Sequence, residues 1–119
     1  MDRVLVIIPT YDERENVEPI SRAIFSAVPE AHVLFVDDNS PDGTGSVIDD
    51  LRARDPRVQA IHRKEKNGLG RAYIAGFKWA IERAYDFIFE MDADFSHNPA
   101  DLPRFLEAAR DADCVIGSR

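Results

Sequence analysis

Residues 4–9 read Val4-Leu5-Val6-Ile7-Ile8-Pro9, and this short run decides the fold. Five consecutive apolar residues, four of them β-branched, show none of the in–out alternation of a half-exposed strand. Such a run reads as a strand buried on both faces, the kind found inside a parallel sheet. Pro9 ends it, since proline cannot donate to a ladder. A strand of this kind needs a layer of helices above and below it.

Working outward, the chain supplies them. Val17, Ile20, Ala23, Ile24, Ala27 and Val28 recur at helical spacing, and Pro19 is tolerated only in a first turn, so a helix begins near Asn16 or Val17. His32 to Val36 is a second buried strand, and Thr44 to Arg54 a second helix with Val47, Ile48 and Leu51 on one face. Val58 to His62 reads as a shorter strand. Gly68 to Ala84 reads as a helix with Leu69, Tyr73, Gly76, Ala80 and Ala84 along a stripe. Phe87 to Met91 is a fourth strand, Ala100 to Arg110 a fourth helix and Cys114 to Gly117 a fifth strand. Alternation of this kind implies parallel strands joined by right-handed crossovers, hence a doubly wound, mostly parallel α/β sheet. No repeat, low-complexity segment or linker interrupts it, so residues 1–119 are expected to form one domain.

Composition narrows the function. At 119 residues, 45% hydrophobic and 31% charged, the chain can bury a real core. A formal net charge of -7 argues against a nucleic-acid partner and against adhesion to anionic lipid through net charge. Cys114, the single cysteine, makes no internal disulfide and fits a reducing compartment, where it reads as a small apolar strand residue. No signal peptide or membrane span is recognisable, so a cytoplasmic location is expected.

In a doubly wound sheet, ligands bind outside the carboxyl ends of the strands. The segments expected there are "PTYDEREN", "DDNSPDGTG", "RKEKNGLGRAY", "DADFSHNP" and "SR". The segments at the opposite end, "PEAH", "RDPR", "ERAYD" and "RDAD", are as polar but lack the glycines, asparagines and paired acids. Asp92 and Asp94, on alternate residues just past the fourth strand, have no Arg or Lys nearby in sequence. Two readings stay open: they share a Mg²⁺ or Mn²⁺ ion, which prefers oxygen ligands, or one caps the next helix while the other is solvated. "GLGRAY" lacks a third glycine and does not follow the first strand, so it is no dinucleotide fingerprint. Gly68 and Gly70 instead permit a tight turn into a helix whose start, with Lys66 and Arg71, faces an anionic ligand. His97 reads as a rim residue rather than a base.

Taken in order and spacing, "VIIPTYDERENV", "FVDDNSPDGT", "NGLGRAYIAGF", "MDADFSHNP" and "IGSR" resemble the amino-terminal half of family 2 glycosyltransferases of the Rossmann-like GT-A fold. Within that family they look most like the dolichol- or polyprenol-phosphate mannosyltransferases. Relatives that transfer glucose or aminoarabinose to lipid phosphate more usually carry a "DLQDPP"-like run in place of "DFSHNP". The resemblance covers essentially the whole chain and implies transfer of mannose from GDP-mannose to a dolichyl or polyprenyl phosphate at a membrane surface, with inversion. It implies donor-binding roles for Pro9, Tyr11 and Glu13 around the guanosine, continued by Val36 and by Asp38 as acceptor for base or ribose. It implies a metal site at Asp92 and Asp94, with Ser96 where some relatives carry Gln. Ala93 would permit close backbone approach to the sugar nucleotide, and Arg119 would face phosphate, so Asp92, Asp94 and Arg119 are the expected catalytic set. Each residue also has a plainer reading: Pro9 as a strand terminator, Tyr11 as a half-buried aromatic, Asp37 or Asp38 as a turn former.

Members of that family are roughly twice as long as this chain, and they continue toward an acceptor-binding loop. The sequence is therefore expected to hold the donor side of the site and to transfer mannose poorly by itself. The fifth strand would be left with an open edge prone to self-association. Two rivals come from other classes. A response-regulator receiver is also a five-stranded α/β module, but its acidic pair follows the first strand and a Lys follows the fifth, whereas here the pair follows the second and the fifth runs into Gly117-Ser118-Arg119. A nucleotide-binding module without catalysis is the other.

Overall fold

Strand β1 (Val4–Thr10) lies inside the sheet, with β2 (His32–Asp37) on one side and β4 (Phe87–Glu90) on the other. Strand β3 (Val58–His62) extends the sheet beyond β2, giving the order β3-β2-β1-β4 with every pair parallel. The computed structural model describes residues 3–38, 41–63, 69–91 and 99–110. The fifth strand expected at Cys114 to Gly117 lies outside the described residues, as do Lys66, Asp92, Ala93, Asp94, Ser96, His97 and Arg119.

Both faces of β1 are covered, as the unbroken apolar run requires. Val4, Val6 and Ile8, with Val33 and Phe35 of β2, join Val17, Ile20 and Ile24 of α1 (Val17–Ala27), Ile48 and Leu51 of α2 (Thr44–Arg54), and Leu102 and Leu106 of α4 (Leu102–Arg110). On the other face Leu5, Ile7, Leu34 and Val36 meet Ala80, Tyr73, Phe77 and Trp79 of α3 (Leu69–Glu82). Each such aliphatic side chain contributes roughly 1.5–3 kcal/mol on full burial. Gly76 lets α3 approach closely: a Cβ there would stand 2.7 Å from Cγ2 of Ile7.

The strand order follows from crossover handedness. The chain steps from β1 to β2 to β3 through α1 and α2, then returns past β1 to β4 through α3. Right-handed connections in opposite directions must lie on opposite faces. The reversal beside β1 is a topological switch point, where open α/β sheets bind their ligands. This order also excludes the receiver module, whose sheet runs 2-1-3-4-5.

Several element ends differ from the sequence reading. Helix α3 stops at Glu82, and Ala84, expected on its buried stripe, is exposed with φ +57° as the chain turns toward β4. Its left-handed backbone lets the Ala84 and Tyr85 amides reach back to the carbonyls of Ile81 and Ala80, a helix-ending arrangement. The first turn expected of the fourth helix is a 3-10 turn, Pro99–Asp101, and Met91 lies just past β4 while its amide still bonds the Ile7 carbonyl at 3.0 Å.

Candidate functional site

At the carboxyl end of the sheet the strands are tied to one another by polar groups rather than by apolar packing alone. Thr10, the last residue of β1, is 3% exposed and donates its hydroxyl to Oδ1 of Asp37 at 2.9 Å. The Asp38 amide donates to the Thr10 carbonyl at 3.1 Å, and the Arg63 amide to the Asp37 carbonyl at 2.8 Å. Arg63 Nη1 then lies 3.3 Å from Oδ1 of Asp38, both side chains being largely buried. Neither acid sits in a turn: Asp37 closes β2, and Asp38 follows it directly. Burying two adjacent carboxylates is costly unless donors and a cation serve them, and Thr10 and Arg63 are placed to do so.

The loop after β1 is folded against the start of α2. Thr44 Oγ1 accepts the Glu13 amide at 3.1 Å and donates to Oδ1 of Asp42, which also accepts the Thr44 amide at 3.0 Å. This hydroxyl bond, helped by backbone amides, holds the Asp42 carboxyl below its ordinary value. Gly43 precedes α2 with φ +92°, a conformation that favours glycine. Glu13 Oε2 accepts a 2.8 Å bond from Asn16 Nδ2, and Asp12 has φ +55°. Together Asp12, Glu13, Arg14, Glu15, Asn16 and Asp42 line an open polar concavity beside the switch point.

The expected donor-binding residues that are described fall into two groups. Pro9 and Val36 are register partners across β1 and β2, and Tyr11, Glu13 and Asp38 follow these strand ends directly, so all five gather at one corner of the rim. Tyr11 is exposed, Glu13 and Pro9 are half-buried, and Asp38 is buried. The Val36 side chain is fully enclosed in the core on the α3 side, so only its backbone borders the rim. Arg71 is exposed in the first turn of α3, where unpaired amides and the helix dipole favour anions. Among the described residues no group of three or more His, Cys, Asp or Glu could hold a metal ion.

Sequence reading missed Thr10, Asp37, Arg63, Asp42 and Thr44 as organisers of this corner. Asp42-Gly43-Thr44 carried a usable signal, because an Asp two residues before a helical amide forms this kind of local bond. Arg63 and Thr10 carried none, since their partners lie on other strands.

A protein-family model described as glycosyl transferase family 2 matches residues 5–119. The chain belongs to that family. It is 59% identical over 117 residues to an undecaprenyl-phosphate mannosyltransferase of Micrococcus luteus, covering 98% of this chain and 48% of that protein. It is 54% identical over 119 residues to a polyprenol monophosphomannose synthase of Mycolicibacterium smegmatis, with 98% and 45% covered. A dolichol-phosphate mannosyltransferase of Pyrococcus furiosus is 41% identical over 120 residues, with 98% and 33% covered. The family 2 chain thus spans about half the length, or less, of these relatives. Among solved structures, a mannosyltransferase from Pyrobaculum calidifontis in complex with GDP-Man and Mn²⁺ superposes with a TM-score of 0.75 at 24% identity, covering 90% of this chain and 32% of that one. Residues 1-349 of S. aureus TarS superpose at 0.73 and 21%, with 92% and 32% covered. At these identities the likeness speaks for the fold alone, and that fold is GT-A.

Proposed function

We propose that residues 1–119 form the donor-binding part of an inverting mannosyltransferase that uses GDP-mannose and a polyprenyl or dolichyl phosphate. The observation that carries this reading is 59% and 54% identity, across nearly the whole chain, to proteins named for mannosyl transfer to undecaprenyl phosphate and for polyprenol monophosphomannose synthesis. The corner at Tyr11, Glu13 and Asp38 supplies an aromatic face and carboxylate acceptors for the base and ribose. Arg71 at the start of α3, with Lys66 and Arg119, would balance diphosphate charge.

Asp92, Asp94 and Ser96 offer only oxygen donors, a set that fits Mg²⁺ or Mn²⁺, and the Met91 bond to β1 brings the chain to the rim immediately before them. A bound ion would there act as a Lewis acid on the diphosphate. In the transfer itself an acceptor phosphate oxygen forms a bond to the anomeric carbon as the bond to the GDP oxygen breaks, and GDP leaves with the electron pair. The attacking oxygen is already ionised, so no protein base has to remove a proton. Positioning and charge stabilisation are what the chain contributes. Among the described residues no helix is long and apolar enough to cross a membrane.

Calorimetry with GDP, UDP and GDP-mannose, with and without Mn²⁺, tests the donor reading. Preference for GDP and loss of binding on chelation are expected. Equal affinity for UDP would overturn it. Turnover with a short polyprenyl phosphate, compared between this chain and one extended to its relatives' length at equal GDP occupancy, tests the division of labour. The longer chain is expected to be the active one.

A further inference from the structure

We propose that Arg63 is a positioning residue for base recognition, acting through Asp38; the inference rests on the guanosine-diphosphate reading above. An aspartate's terminal torsion is broad, so its carboxylate turns unless something holds it. Here the backbone on both sides is pinned: the Asp38 amide bonds the Thr10 carbonyl, and the Arg63 amide bonds the Asp37 carbonyl. Arg63 Nη1 then approaches Oδ1 of Asp38 to 3.3 Å, with side-chain exposures of 14% and 8%. The contact is an ion pair without hydrogen-bond geometry, but both atoms are buried, so it turns Oδ1 of Asp38 toward the planar guanidinium and thereby sets the terminal torsion, and hence the plane, of the carboxylate.

That plane matters for one kind of ligand. Guanine presents two adjacent donors, the ring N1–H and the 2-amino group, whereas hypoxanthine presents only the first. A carboxylate discriminates between them only if the oxygen it turns away from Arg63 is held where both donors arrive, and support by neighbouring side chains supplies that precision. Lysine would keep the charge of Arg63 without its planar geometry. The predicted signature is therefore a loss of base discrimination that partly recovers with lysine. A packing defect would weaken all nucleotides alike.

The test is calorimetric titration of GDP, inosine diphosphate and UDP, with Mn²⁺, on the wild-type chain, Arg63→Gln, Arg63→Lys, Asp38→Asn and the Asp38→Asn/Arg63→Gln double variant, with melting temperatures alongside. Arg63→Gln is expected to lose about tenfold in GDP affinity, the scale of one charge-assisted contact, and most of its preference for GDP over inosine diphosphate, with UDP unaffected. Arg63→Lys should recover part of that preference. In the Asp38→Asn background, adding Arg63→Gln should leave the preference where it was, because the path to the base is already broken. Wild-type preference in Arg63→Gln, or an equal loss for all three nucleotides, overturns the proposal. If Arg63→Gln does not fold, Arg63→Lys decides: an intermediate preference supports the proposal and an undiminished one overturns it. Failure of the wild-type chain to prefer GDP over UDP would instead strike the proposed function itself.

Discussion

At the amino-terminal end of the strands, charged and aromatic side chains are used up in pairs that hold the fold. Arg57 forks onto Asp55 at 2.7 and 3.0 Å, donates to the Pro29 carbonyl and lies 3.8 Å over the Phe25 ring. His32 Nδ1 meets the Tyr85 hydroxyl at 2.8 Å, Tyr85 stacks on Trp79, and Arg83 covers the Trp79 ring. At the carboxyl end the polar groups are instead buried acids at consecutive positions, Asp37 and Asp38, served by Thr10 and Arg63. Both ends are polar, so polarity does not mark the site. What marks it is that one end closes its charges in self-sufficient pairs of mostly half-buried groups, while the other sinks carboxylates into the sheet beside a topological switch point. Holding buried acids in place costs stability and yields a preorganised acceptor.

Four substitutions put that contrast at risk, and the largest effect belongs to the proposed metal pair. Asp92→Ala and Asp94→Ala should each reduce Mn²⁺-dependent nucleotide affinity by more than the roughly 10–100-fold typical of losing an outer-shell partner, without lowering the melting temperature. Titration calorimetry beside a thermal melt reads both quantities. Unfolding of either variant would mean that these acids belong to the structural class of polar groups, and the contrast between the two ends would fail.

The next effect mixes the two classes. Thr10→Val keeps the side chain's volume but removes the donor to Asp37 Oδ1, leaving a buried carboxylate short of a partner. A loss of about 1.5–3 kcal/mol in denaturant unfolding is expected, the range for hydrogen bonds to charged groups. Nucleotide affinity should fall as well, because Asp37, the carboxylate that loses its Thr10 donor, adjoins Asp38 at the proposed base-binding corner. Unchanged stability would show that Asp37 is adequately served without Thr10.

The smallest effect lies at the opposite end. Burial, with Arg3 and then Arg57 adding to it, lowers the His32 imidazole from its ordinary value of 6.5, so the folded state favours the neutral ring. Its contribution is therefore complete above pH 6.5 and is lost progressively as the pH falls below that value toward the lowered one. Replacing His32 by Gln should flatten the acid side of the stability profile over that window and leave nucleotide affinity at neutral pH unchanged. A change in affinity would mean that the two ends are coupled across the sheet.

Local pattern made most of the fold readable. The unbroken run Val4 to Ile8 announced a strand covered on both faces, and Thr44–Arg54 and Val58–His62 were legible to the residue, because periodicity and burial preference act over a few neighbouring positions. The acid-rich loops could be assigned to one rim by alternation alone, and the motifs in them carried the family resemblance that the family match upholds. Tertiary structure alone decided the order β3-β2-β1-β4, the exit of Ala84 from its helix, the close approach of Gly76 to Ile7, and the ties Thr10–Asp37 and Arg63–Asp38. Each of those depends on which strand lies beside which, a choice set by crossover direction and register among segments far apart in the chain. No local period records it.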